Sequence, residues 1–232
     1  PIGQLDAELE GNQIVSCRYR YTRGALAAQR DLGFEPLVSL PDFLSDYTSE
    51  KLFPVFQNRV LSSKRADYPE FISWLDLTQE QADPIAIMSI SGGSRVTDNL
   101  HTIPKLEQNA DGSFKLRFFL QGLRYLAEES PKSAHSLKAG DQLLLMVGAN
   151  QSATALSICL LDKKENMVGW TPDFLADDLI HCIRNAPEIK ATVVKVNGAH
   201  APWDQSVLVE YSGRTPNNYQ LMASPDFSLL VD

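Results

Sequence analysis

Apolar and polar positions alternate most clearly from Ile14 to Tyr21, which predicts a strand with Cys17, Tyr19 and Tyr21 on one face and Arg18 and Arg20 on the other. The cations, with Arg23 and Arg30 beyond them, read as a solvated face over packed aromatics rather than a nucleic-acid stripe, because period-two geometry buries the tyrosines. Pro36 to Pro41 is extended and bounded by prolines. Helical spacing of Leu52, Val55, Phe56 and Val60 predicts a helix over 49–61 with Ser49 as its cap. Asp67-Tyr-Pro69 opens a second helix over 70–75, and Asp83-Pro84 opens a third over 85–90, ending at Gly92-Gly93.

Beyond residue 100 the period shortens to that of strands. Asn109 to Ser113 reads as a hairpin turn with Gly112 at positive φ, joining strands at 100–106 and 114–120. Gly140-Asp141 leads into a strand over 142–147, the run from Ala155 to Leu161 repeats it, and Asp162 to Asn166 is a polar turn. After Met167-Val-Gly-Trp170 a helix is expected to about Arg184, with Thr171 as N-cap, Pro172 at the first position and Asp173 at the positive end of the helix dipole. Strands follow at 189–197 and 206–211, with a loop from His200 to Trp203. Ser130-Pro-Lys-Ser reads as a loop, and a boundary falls near 104–114. No internal repeat appears, which excludes solenoids.

At 232 residues, 44% apolar and 22% charged, the chain suits one large or two small globular domains. No run approaches the ~18 apolar residues of a membrane span, and Pro1-Ile-Gly-Gln-Leu-Asp is not read as a signal peptide. Cys17, Cys159 and Cys182 are widely spaced among apolar neighbours. Buried free thiols in a reducing compartment, hence the cytoplasm, are expected. The net charge of −8 opposes bulk affinity for nucleic acid. Residues 1–113 carry 10 basic and 16 acidic side chains, and 114–232 carry 11 and 13, so any phosphate-facing surface must be local.

Little in the sequence suggests catalysis. His101, His135, His181 and His200 are isolated, with no metal-ligand spacing. Asp177-Asp178 reads as helix-face solvation, and Gly92-Gly93-Ser94 lacks the spacing of a phosphate loop. No Gly-x-Ser-x-Gly elbow occurs. The expectation is a protein that is not an enzyme and needs no cofactor.

Two stretches resemble known families. Phe118-Phe-Leu-Gln-Gly-Leu-Arg124-Tyr125, Ala139-Gly-Asp141, Ala149-Asn150 and Val168-Gly-Trp-Thr-Pro172 together resemble a HIRAN domain. That resemblance implies a small barrel-like β module with helices that binds DNA, in particular single strands and their 3′ ends. Carried over residue by residue, it implies nucleic-acid contacts at Arg124 and Tyr125, with Asn150 and Trp170 in the loop and strand that follow; Lys163 and Lys164, in the polar turn, join them as phosphate contacts on general grounds only. Where the family often has a tyrosine and an aspartate before its second strand, this chain has Gln151 and Ser152, so the residues associated with end recognition are absent.

The preceding region, about 12–104, resembles the N-terminal subdomain of HipA-type toxin kinases. The likeness rests on Leu37-Val-Ser-Leu-Pro41, the run Leu52 to Leu61 with Arg65 after it, and the Asp83-Pro84 helix running into Gly92-Gly93. No kinase core follows: neither a metal-binding Asp-Phe-Gly element nor a His-x-Asp loop is found.

The expected architecture is α+β: an N-terminal mixed sheet with short helices over 1–108, then a small HIRAN-like β-barrel with one or two helices over 109–232. The expected function is a non-catalytic nucleic-acid-binding or regulatory module, with single-stranded DNA as partner, in a toxin–antitoxin or defence setting. The alternative is an antitoxin-like subunit that docks on a kinase-like or other effector protein without binding DNA. Neither reading involves a membrane.

Overall fold

The computed structural model describes residues 1–126, 137–149, 156–186 and 188–231. The fold is α+β, and the chain divides into two compact units. The first comprises Pro1–Ile72, Leu77–Pro104 and Met222–Asp232, and the second comprises Ser73–Asp76 and Lys105–Leu221.

The first unit is built on a three-stranded sheet of β1 (Gly3–Glu10), β2 (Gln13–Tyr21) and β3 (Tyr47–Ser49), in that order. Every pairing is antiparallel, which corrects the expected mixed sheet. The reason is local: Gly11, at φ +60°, reverses the chain directly between β1 and β2. Neither β1 nor the helix α1 (Arg23–Leu32), closed by Gly33 in the left-handed region, is among the predicted elements.

The inward face of β2 is as predicted, with Cys17, Tyr19 and Tyr21 all buried. Tyr21 also organises the proline-bounded segment. Its hydroxyl donates to the Leu40 carbonyl and accepts from the Leu37 N–H, both at 2.7 Å, so one buried side chain satisfies two backbone groups of a segment with no ladder of its own. On the outward face Arg18 forms a two-pronged pair with Asp46, and Arg20 pairs with Asp6 at 3.0 Å.

The predicted helix over 49–61 shrinks to one turn, α2 (Pro54–Gln57). Ser49 cannot cap it because Ser49 belongs to β3, opposite Cys17. The other two helices form as α3 (Tyr68–Trp74) and α4 (Pro84–Ser91). In α4 the Asp83 carboxylate accepts from the Ile85 and Ala86 N–H groups at 2.8 and 2.9 Å, and Gly92 ends the helix at φ +75°.

A strand over 100–106 does not form, because its polar groups are engaged elsewhere. The buried Arg59 guanidinium donates to the carbonyls of Gly93 and Leu100 at 2.9 and 3.0 Å and to both Asp98 oxygens at 2.7 Å. Thr102 donates its N–H to Gly92 and its hydroxyl to Met88. Pro104 has no N–H to give.

The second unit carries a curled six-stranded sheet, a half-barrel in the order β4-β9-β8-β5-β6-β7. Its strands are β4 (Ser113–Phe119), β5 (Gln142–Ala149), β6 (Leu156–Leu161), β7 (Met167–Trp170), β8 (Lys190–Val196) and β9 (Val207–Arg214), all paired antiparallel. The turn at 109–113 forms with Gly112 at φ +78°, but β4 takes β9 as its partner. Alternate residues Phe114, Leu116 and Phe118 of β4 point into a core with Val193, Val209 and Tyr211. Each such side chain contributes roughly 1.5–3 kcal/mol by leaving water. Cys159 and Cys182 are buried here and, like Cys17, carry free thiols.

The helix after β7 starts later than predicted. Asp173–Leu175 is a 3₁₀ turn, and α5 runs Ala176–Asn185 with no side-chain cap. Thr171 does not cap because its hydroxyl is buried against the Tyr211 hydroxyl at 2.7 Å, a pairing that answers the need of a wholly buried phenol for a partner. The short segment Ser73–Asp76 also belongs to this unit: Lys195 donates to Ser73, Asn197 to the Trp74 carbonyl, and Arg117 to Asp76.

The Arg59–Asp98 pair sets a pH dependence for the first unit. The hydrogen bond from Arg59, working against burial, holds the Asp98 carboxyl below the usual carboxylate range. A depressed native-state pKa stabilises the fold above about pH 4, and that stabilisation disappears as pH falls through the native value. Arg59→Ala is expected to cost about 3 kcal/mol at pH 7 in urea unfolding. Asp98→Asn is expected to flatten the acid limb of the stability curve, and an unchanged limb would show that the pair is not coupled to folding.

Candidate nucleic-acid interface

The two outer strands of the six-stranded sheet, β4 and β7, meet at one end. Just past β4, Gln121 and Trp170 form an antiparallel bridge, with the Gln121 N–H donating to Trp170 at 2.9 Å and the Trp170 N–H returning to Gln121 at 3.1 Å. Two glycines allow this approach. A Cβ on Gly122, at φ +74°, would lie 2.4 Å from Trp170 Cε3. A Cβ on Gly169, at φ +152°, would lie 3.0 Å from that of Leu120. Backbone of this kind favours glycine on conformational and steric grounds alike.

The chain then turns through a single 3₁₀ turn, Leu123–Tyr125, anchored by the buried Leu123. Arg124 and Tyr125 project to solvent, and Tyr125 is 76% exposed. The Arg124 guanidinium lies 5.0 Å from the Tyr125 ring centroid and donates to the Tyr125 hydroxyl at 2.9 Å. Among the described residues no carboxylate pairs with Arg124. Three features therefore gather at the junction: an exposed ring, a planar cation with no carboxylate partner among the described residues, and the half-buried indole of Trp170. Such a set can stack on a planar ring and bind an anion beside it.

The predicted residues do not all assemble. Arg124, Tyr125 and Trp170 come together through the bridge. Lys163 lies in the turn at the other end of β7, where its ammonium pairs with Asp141 at 3.2 Å. Asn150, with the rest of the loop over 150–155, lies outside the described residues, as do His135 and the Ser130 loop. A neighbour that the sequence alone places only in a loop is Trp203, 47% exposed, on a 3₁₀ turn (Trp203–Gln205) that packs beside Leu123–Tyr125. Its signal was modest, an exposed tryptophan following Pro202 in a polar loop.

Two polar residues of α5 have structural partners. Asp178 accepts from the Tyr219 hydroxyl at 2.7 Å, so it is more than surface solvation, and burial with that bond raises the phenol pKa. The Tyr219 ring stacks on His181 at 4.0 Å. Among the described residues no group of His, Cys, Asp and Glu could hold a metal ion, and no helix is long and apolar enough to cross a membrane. Comparisons with protein-family models, with curated proteins and with solved structures give no match.

The junction makes Gly122 sensitive to substitution. Gly122→Ala is expected to lower unfolding stability by more than about 1 kcal/mol, since it adds a side chain at positive φ against the Trp170 ring. An unchanged urea midpoint would contradict the close approach.

Proposed function

We propose that the second unit is a HIRAN-like, non-catalytic module that binds single-stranded nucleic acid at Arg124, Tyr125 and Trp170. The observation that carries this reading is the exposed, cation-backed Tyr125 ring at the sheet junction. An unpaired base would stack on the aromatic surface while the guanidinium meets a phosphate or a base edge. Stacking of this kind contributes ~1–3 kcal/mol per base and depends little on sequence, which suits binding without base readout. The replacement of the family's tyrosine and aspartate by Gln151 and Ser152 favours contact along a strand over capture of its 3′ end. A regulatory role in a toxin–antitoxin or defence setting rests on the likeness of the first unit to the HipA N-terminal subdomain.

Fluorescence anisotropy with a short labelled oligothymidine tests the reading. Binding is expected at low salt and should weaken as salt rises. Tyr125→Ala should cost ~1–3 kcal/mol, which is about 5- to 150-fold in Kd, and Arg124→Ala should weaken binding and reduce its salt dependence. No binding by the unmodified protein, or binding indifferent to both substitutions, would overturn it and favour an effector-docking role.

A further inference from the structure

The turn that precedes β5 and the turn between β6 and β7 border a cleft of about 370 Å³, lined by Leu137, Lys138, Asp141, Asp162, Lys163 and Lys164. Three ammonium groups and two carboxylates thus line one small depression, and the carboxylates are already engaged. Asp162, buried, accepts from the N–H groups of Lys164 and Asn166 at 2.8 and 2.9 Å and from the Asn166 amide. Asp141 accepts the Lys138 N–H at 2.9 Å and pairs with the Lys163 ammonium. Those bonds, the Lys138 N–H foremost, hold the Asp141 carboxyl below its ordinary range, so it is ionised and satisfied at neutral pH. Lys138 and Lys164 are exposed and form no close ion pair among the described residues; Lys138 acts electrostatically on Asp141 and Lys164 on Asp162, and three ammonium groups against two carboxylates leave the lining one net positive charge.

We infer that this cleft is a phosphate-binding subsite in which the excess of lysines over carboxylates supplies the positive charge, with Lys138 and Lys164 as its exposed ammonium groups, and the Lys163–Asp141 pair fixes the wall between the two turns. An ammonium is a compact point charge that meets a phosphate without a fixed fork geometry, which suits a mobile anion more than a planar one. The site deepens the single-strand reading and in that respect rests on it. The Arg124–Tyr125–Trp170 junction lies at one end of β7 and the lysine turn at the other, with the three residue steps of β7 between them spanning roughly 10 Å. A strand of a few nucleotides stacked at the junction reaches the cleft with its backbone. The same chemistry also accepts a free polyphosphate.

The test compares the unmodified protein with the Lys138→Gln/Lys164→Gln double variant, two exposed substitutions. Sodium tripolyphosphate is titrated while amide signals are followed by ¹H–¹⁵N NMR. Shifts are expected over 138–141 and 162–166 and should be lost in the variant. Absent shifts, or shifts of equal size in the variant, overturn the subsite. In a second arm the salt dependence of oligothymidine binding is measured. If the cleft takes backbone phosphates, the variant's slope of log K against log salt is smaller in magnitude by about 1.4, or ~0.7 for each phosphate that a lysine no longer neutralises. Tripolyphosphate binding at the cleft without any oligonucleotide binding upholds the subsite as a free-anion site and removes the single-strand reading, so the two failures are distinguishable.

Discussion

Two backbone hydrogen bonds between Gln121 and Trp170 join the outer strands of a six-stranded sheet that is otherwise open, and the surface chemistry of the second unit depends on that joint. A curled sheet with unpaired edges presents rows of N–H and C=O groups that other chains can pair with, and closing even one end reduces that liability. Closure also requires the two strands to approach more closely than side chains allow. Gly122 and Gly169 meet this requirement, and the Trp170 ring lies where a Gly122 side chain would otherwise be. The 3₁₀ turn that exposes Arg124 and Tyr125 follows directly from the joint, so the candidate interface and the architecture have one cause.

Charge follows a similar economy. With a net charge of −8, the proposed nucleic-acid binding would have to draw on a few local cations. In the first unit, Arg18, Arg20, Arg30, Arg59 and Arg65 all face carboxylates. The exposed pairs among them contribute little stability, yet they cancel the charge that made the β2 face look basic in sequence. Arg59 differs because it is buried and satisfies two loop carbonyls as well as Asp98, and so shapes the segment between α4 and residue 102. In the second unit Arg124, Lys138 and Lys164 form no close ion pair among the described residues and lie at two ends of the short strand β7.

Local patterns were legible where local chemistry decides. The buried face of Cys17, Tyr19 and Tyr21, the Asp83 cap of α4 and the polar turn of 162–166 all follow from neighbours a few residues away. Misreadings arose where a distant partner outbid the local one. Thr171 has the makings of a helix cap, but the buried Tyr211 hydroxyl claims it. Residues 100–106 have strand-like composition, but Arg59 and Gly92 occupy their backbone groups. For the candidate site, the residue types at 124, 125 and 170 could be nominated from family likeness, whereas their meeting depends on a bridge between segments far apart in sequence. Trp203 carries no motif that would announce its part, and nothing in the run from Phe118 to Tyr125 indicates that Gln121 pairs with Trp170.

The central claim, that the sheet junction presents a surface for single-stranded nucleic acid, is tested most directly by mapping amide shifts in a ¹H–¹⁵N spectrum as unlabelled oligothymidine is added. The account predicts the largest shifts over Gln121–Tyr125 and at Gly169 and Trp170, with smaller ones towards the lysine turn. No shifts, or shifts confined to the first unit, would contradict it.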